Sequence, residues 1–71
     1  MKATKENPAI RRAIDMFGTQ TALAARIGVG QNVISYWLHE CKQVPPKRAV
    51  QLEAVTNGAV TRKELRPDLW S

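Results

Sequence analysis

Gln31, Asn32, Ser35 and Tyr36 are the residues whose types and spacing suit chemistry of a definite kind. On a helix they share one face, because positions three and four apart, as in 31/35, 32/35 and 32/36, lie side by side. Gln31 and Asn32 carry amides that donate and accept at once, the pattern that pairs bidentately with adenine N6 and N7. Ser35 suits several bases. Tyr36 can pack on a thymine methyl or bond a phosphate through its hydroxyl. The plain alternative for all four is an ordinary solvated polar face. Covalent chemistry has no comparable support. The sequence has one His and one Cys. It offers no metal-ligand cluster, no phosphate-cradling Gly loop and no paired carboxylates in a plausible pocket, so neither enzyme, metal nor cofactor is expected.

A base-reading face needs elements to hold it. Ala24 is small, as a first helix passing close to a second requires. Gly28 follows four positions on, at a sharp turn that needs a positive φ, which Gly adopts cheaply. Ile34 and Trp37 then supply the buried side of the second helix. Residues 20–38 therefore read as a DNA-binding helix-turn-helix whose second helix enters a major groove. A structural helical hairpin is the competing reading. The Gly alone would not separate the two, but the combined spacing favours the first.

Charge supports the same partner. The chain has 71 residues and a net charge of +5. A sequence pI near 10.0 on so short a chain favours a polyanion such as double-stranded DNA. No long basic amphipathic helix suggests a membrane surface, and there is no apolar run of spanning length and no signal peptide. The expected location is the cytoplasm of a bacterial host, with the nucleoid. Cys41 has no intrachain disulfide partner, and with His39 alone it cannot complete a zinc site.

The chain reads as one all-α domain over residues 1–71, a compact bundle of four to five short helices. Residues 1–6 are expected to fray. Asn7-Pro8 starts a helix over 8–17, with Gly18 ending it. Thr19 caps a helix over 20–27. A third helix opens at Val29 or Gly30 and runs to about His39, with Val33, Ile34, Trp37 and Leu38 inward. Pro45-Pro46 opens a fourth over 46–56, with Ala49, Leu52 and Val55 inward. Thr61 and Glu64 form a capping box for one short turn that ends by Arg66, before Pro67. Residues 67–71 are expected to be an extended tail.

The reading helix carries no formal charge from Gly30 to Leu38, so phosphates must be met from elsewhere. Thr19, Gln20 and Thr21 cluster at a helix N-terminus, where free N–H groups favour an anion. Gln20 is also placed to brace Gln31. Past the reading helix, His39, Lys42, Lys47 and Arg48 are expected on the other flanking strand. Arg11, Arg12, Arg62, Lys63 and Arg66 read as general solvating charge. Leu69 and Trp70 are large to leave in water. They either fold back as a lid or meet a second copy across a dimer interface.

Two stretches resemble a known family. One is Phe17-Gly-Thr-Gln-Thr-Ala-Leu-Ala through Val33-Ile-Ser-Tyr-Trp. The other is Val44-Pro-Pro-Lys-Arg-Ala with Leu52-Glu, then Gly58 through Trp70. Together they resemble the Cro-type phage repressors, and in particular the YdaS Cro-like prophage antitoxin family. The likeness implies a lambda-repressor-like, Cro-like fold. It implies sequence-specific operator binding, usually as a homodimer, and repression of a phage or prophage promoter. Independently, one short reading helix points to a pseudo-palindromic operator, and the small apolar surface at Leu69 and Trp70 points to a homodimer that is weak when free. Some Cro proteins dimerise through a C-terminal strand pair, and this chain offers no strand there. The rival function is an antitoxin-type module that binds a toxin and uses DNA for autoregulation.

Overall fold

Three of the helices begin at side-chain caps. The structure, a computed structural model, describes residues 6–39 and 44–70. Helix α1 spans Pro8–Phe17, α2 Gln20–Ile27, α3 Gln31–His39, α4 Pro46–Val55 and α5 Arg62–Leu65. The Asn7 carboxamide oxygen accepts the N–H groups of Ala9 and Ile10 at 3.0 and 3.3 Å, satisfying donors that the first turn leaves orphaned. Thr19 Oγ1 does the same for Ala22 at 3.1 Å. The capping box of Thr61 and Glu64 is present in both directions.

Gly28 ends α2 at φ 79°, ψ 32°, in the left-handed region. Its N–H and that of Val29 both donate to the Ala24 carbonyl, at 2.9 and 3.0 Å. This turn reverses the chain tightly, so α3 starts three residues past Gly28. The helices close over one core. Ile10, Ala13 and Ile14 come from α1, Leu23, Ala24 and Ile27 from α2, and Ile34, Trp37 and Leu38 from α3. Ala49 and Leu52 of α4, with Val44, Val60 and Leu65, complete it. Val33 and Val55, expected inward, only flank this cluster. Among the described residues no helix is long and apolar enough to cross a membrane.

Three expectations are corrected. Glu6, read as part of a frayed end, is held by Arg11 through a forked ion pair at 2.8 and 3.2 Å; residues 1–5 lie outside the described residues. The tail is not extended. The N–H groups of Leu69 and Trp70 donate back to the Arg66 carbonyl at 3.0 and 3.1 Å. Arg66 also grips the Asp68 carboxylate at 2.8 and 3.0 Å, so Pro67 stops the helix without straightening the chain. Third, the arginines of α1 and of the C-terminal segment are tethers rather than solvating charge. Arg12 pairs with Glu64 and donates to the Ala59 carbonyl at 3.2 Å, joining α1 to the start of α5. Arg62 pairs with Glu53 at 3.4 Å, and Arg66 Nη1 donates to the Val44 carbonyl at 3.0 Å.

One internal feature has no sequence signal. Thr56, at the end of α4, is buried, and its hydroxyl sits 2.7 Å from the Leu52 carbonyl. The same oxygen accepts the Val60 N–H at 3.1 Å. It thereby satisfies the buried backbone of the turn that carries the chain from α4 to α5.

Candidate nucleic-acid interface

The face proposed for base readout is built by the burial of the opposite one. Ile34, Trp37 and Leu38 are buried in the core, which fixes the rotation of α3 about its axis. Gln31, Asn32 and Tyr36 are left exposed, and Ser35 is half-buried beside them. Tyr36 is 50 % exposed, so its ring stands well out of the fold. Gln31 and Asn32 occupy the first turn of α3, where side chains project past the helix end. The backbone carbonyl of Leu38 near the other end of α3 accepts the Asn7 N–H at 3.0 Å, which ties that end to α1.

Two details refine the amides. Thr21 Oγ1, not Gln20, approaches Gln31, at 3.5 Å from its Oε1. Gln20 is half-buried on α2. Asn32 Oδ1 lies so close to Gly30 that a Cβ there would stand 2.7 Å from it. The Gly at position 30 therefore leaves room for the Asn32 carboxamide beside the helix start. Thr19 and Thr21 are exposed at the N-terminus of α2, with the Thr19 oxygen occupied by its capping bond.

The charged residues divide by location. Among the described residues the carboxylates are Glu6, Asp15, Glu53, Glu64 and Asp68, and all are ion-paired. Their partners are Arg11, Arg12, Arg62 and Arg66, so the negative charge is matched on α1, α4 and the C-terminal segment. Hydrogen bonding to Arg11 holds Glu6 below its ordinary carboxylate range. Asp68 is lowered in the same way by Arg66. Burial raises Glu64, but the Arg12 guanidinium and the Thr61 N–H more than offset it, and the net shift is downward. Residues 16–39, which hold α2, α3 and the turn between them, contain no Asp or Glu. Among the described residues, Arg26 there and Lys47 and Arg48 on the start of α4 are in no ion pair. Arg26 lies over the Phe17 ring at 5.2 Å.

The expected phosphate ligands fare differently. Lys47 is exposed on the first turn of α4, and His39 is exposed at the end of α3. Arg48 does not project outward. Its Nη1 donates to the Ile27 carbonyl at 2.9 Å and to Gln51 Oε1 at 2.6 Å, so the guanidinium is docked on the helix-turn-helix turn. The signal that separates Lys47 from Arg48 is the inward Ala49 and Leu52, which set the rotation of α4. Lys42 and Cys41 lie outside the described residues. Trp70 packs against the core with the Arg62 guanidinium 5.4 Å above its ring, whereas Leu69 is 48 % exposed.

Known proteins are similar to this chain in sequence and in fold. The sequence profile of the family described as "Bacterial toxin YdaS" matches residues 10–71. The chain belongs to the YdaS family. That description names a toxin where the sequence resemblance named an antitoxin, and the relatives are named as regulators. This YdaS-family chain is 37 % identical over 68 residues to YdaS of Escherichia coli (strain K12), named as a candidate transcriptional regulator. The match covers 94 % of this chain and 69 % of that protein. The regulatory protein Cro of Salmonella phage P22 is 41 % identical over 51 residues, covering 72 % of this chain and 79 % of Cro. In three dimensions the family member superposes on the Cro protein of the prophage element Xfaso 1 in Xylella fastidiosa strain Ann-1. The TM-score is 0.81 at 48 % identity, over 89 % of this chain and 95 % of that one. The YdaS-family fold is thus all-helical and Cro-like among the described residues.

Proposed function

We propose that this chain is a Cro-like, sequence-specific DNA-binding regulator of a phage or prophage promoter. Helix α3 lies in the major groove, with Gln31, Asn32, Ser35 and Tyr36 toward the base edges. Thr19, Gln20 and Thr21 at the α2 N-terminus meet one phosphate strand, and His39, Lys42 and Lys47 meet the other. The single observation that carries this reading is the polar outward face of α3, set opposite a buried Ile34, Trp37 and Leu38 on a Cro-like scaffold. The names of the relatives, Cro and a transcriptional regulator, agree with it. The whole of residues 1–71 acts as one DNA-binding domain in the bacterial cytoplasm, without enzymatic activity.

One short helix reads too few base pairs for useful specificity in a genome, so the chain binds as a homodimer. Half-site centres then lie about one helical turn apart on a pseudo-palindromic operator. The exposed Leu69 is the residue offered to the second copy. A stable free dimer needs about 1,000 Å² of contact, so this one is completed on DNA. Selection from random duplexes tests the reading. Enrichment of an inverted repeat with that spacing is expected, and winners indistinguishable from the starting pool would refute it.

The family's description as a toxin favours a second reading, a module whose main partner is a protein. A tight complex with a co-expressed neighbour protein, together with equal binding to all duplexes, would favour it.

A further inference from the structure

Arg48 was expected among the phosphate ligands, yet its side chain is used inside the fold. Arg48 is the third residue of α4, and Ile27 is the last of α2. The final carbonyls of a helix lack intrahelical donors. At Ile27 the missing donor comes from Arg48 Nη1, across 21 positions of sequence, at 2.9 Å. That nitrogen carries two hydrogens, and the second goes to Gln51 Oε1 at 2.6 Å, one turn further along α4. Gln51 thus orients the guanidinium. The carbonyl it grips belongs to the residue before Gly28, the hinge between α2 and α3.

A series of tethers reaches this point. Arg66 Nη1 holds the Val44 carbonyl at 3.0 Å just before α4, so the C-terminal segment fixes where α4 starts. Arg48 then fixes the α2–α3 turn against α4. Lys47, its neighbour, stays exposed. We propose that Arg48 is a positioning residue for base readout: through the Ile27 carbonyl it sets the pose in which α3 is presented relative to the phosphate-contacting Lys47, and it is not itself a phosphate ligand. This rests on the DNA-binding reading above.

The test compares the parent, Arg48→Met, Gln51→Ala and Lys47→Ala, each well below its melting temperature. Affinity for a selected duplex and for a random duplex of equal length is measured across a salt series. The slope of log affinity against log salt counts phosphate contacts, at about 0.9 per contact. Lys47→Ala should flatten it by about one. Arg48→Met and Gln51→Ala should leave it unchanged and lower the specific-to-random ratio by about tenfold, the worth of a charged hydrogen bond no longer holding the turn. A flattened slope with an intact ratio in Arg48→Met makes Arg48 a phosphate ligand and overturns the proposal. A lowered melting temperature with ratio and slope both intact makes it merely structural and overturns it equally. Should Arg48→Met fail to fold, Gln51→Ala, which changes no charge, decides by the ratio alone: a fall of about tenfold upholds the positioning role and an intact ratio overturns it. A parent that shows no salt-dependent duplex binding would overturn the DNA-binding reading itself.

Discussion

Replacing Gly28 probes the turn on which the presentation of α3 depends. The residue sits at φ 79°, ψ 32°. A Cβ built there meets nothing within 4 Å, so steric clash with the fold contributes nothing to the cost. What is left is backbone conformation. A side-chain-bearing residue in the left-handed region costs roughly 1–2 kcal/mol. The smaller conformational freedom of the unfolded chain returns about 0.4–1 kcal/mol for Gly→Ala. Gly28→Ala should therefore lose up to about 1.6 kcal/mol. Gly28→Val, β-branched and stiffer, should lose about 1–2 kcal/mol. In a domain of this size each kcal/mol shifts the melting temperature by about 4–8 °C, so Val should lower it by about 4–16 °C. Thermal unfolding followed by far-ultraviolet circular dichroism reads this directly. Parent-like melting of Gly28→Val would mean that the turn does not use this conformation, and the geometry of α2 and α3 would have to be redrawn.

Other perturbations separate local roles. Thr56→Val conserves shape but strands the buried Val60 N–H, and should cost about 1–3 kcal/mol in denaturant unfolding; an unchanged midpoint would show that the hydroxyl is dispensable. Glu6, Glu64 and Asp68 all titrate below their ordinary range in the folded chain. Their stabilising effect is therefore complete at neutral pH and is lost as pH falls below about 4. Melting temperature measured from pH 7 downward should stay level to about pH 5 and then drop, and a melting temperature level down to pH 2 would contradict these pairs. Trp70→Ala should remove about 1–3 kcal/mol at every protein concentration, less than a fully buried Trp would lose. Leu69→Ser should leave melting alone but weaken cooperative operator binding, and the reverse pattern would exchange the roles of lid and interface.

The helices were legible because their signals are local. Asn7-Pro8, Thr19, Gly28 and the Thr61–Glu64 box each act within four residues, and each stands where the pattern put it. The outward face of α3 was legible for the same reason, since Ile34, Trp37 and Leu38 define its opposite. What escaped the sequence was the set of polar tethers decided by distant partners. Arg12 meets Ala59 across 47 positions, Arg66 meets Val44 across 22 and Arg48 meets Ile27 across 21. An arginine that tethers and one that merely solvates look alike in sequence. The tail was misread because Pro67 announces the end of a helix but not the turn after it. Thr56 gave no signal because a threonine near a helix end is ordinary, and only the burial of the following turn makes its hydroxyl necessary.

The central claim is that α3 reads bases through its first-turn amides. Binding of Gln31→Ala and Asn32→Ala to a selected duplex and to a random one tests it most directly. Neutral amides add direction but little long-range attraction, so each variant should lose roughly 1–3 kcal/mol on the selected duplex and almost nothing on the random one. Equal losses on both duplexes would contradict the assignment of base readout to α3.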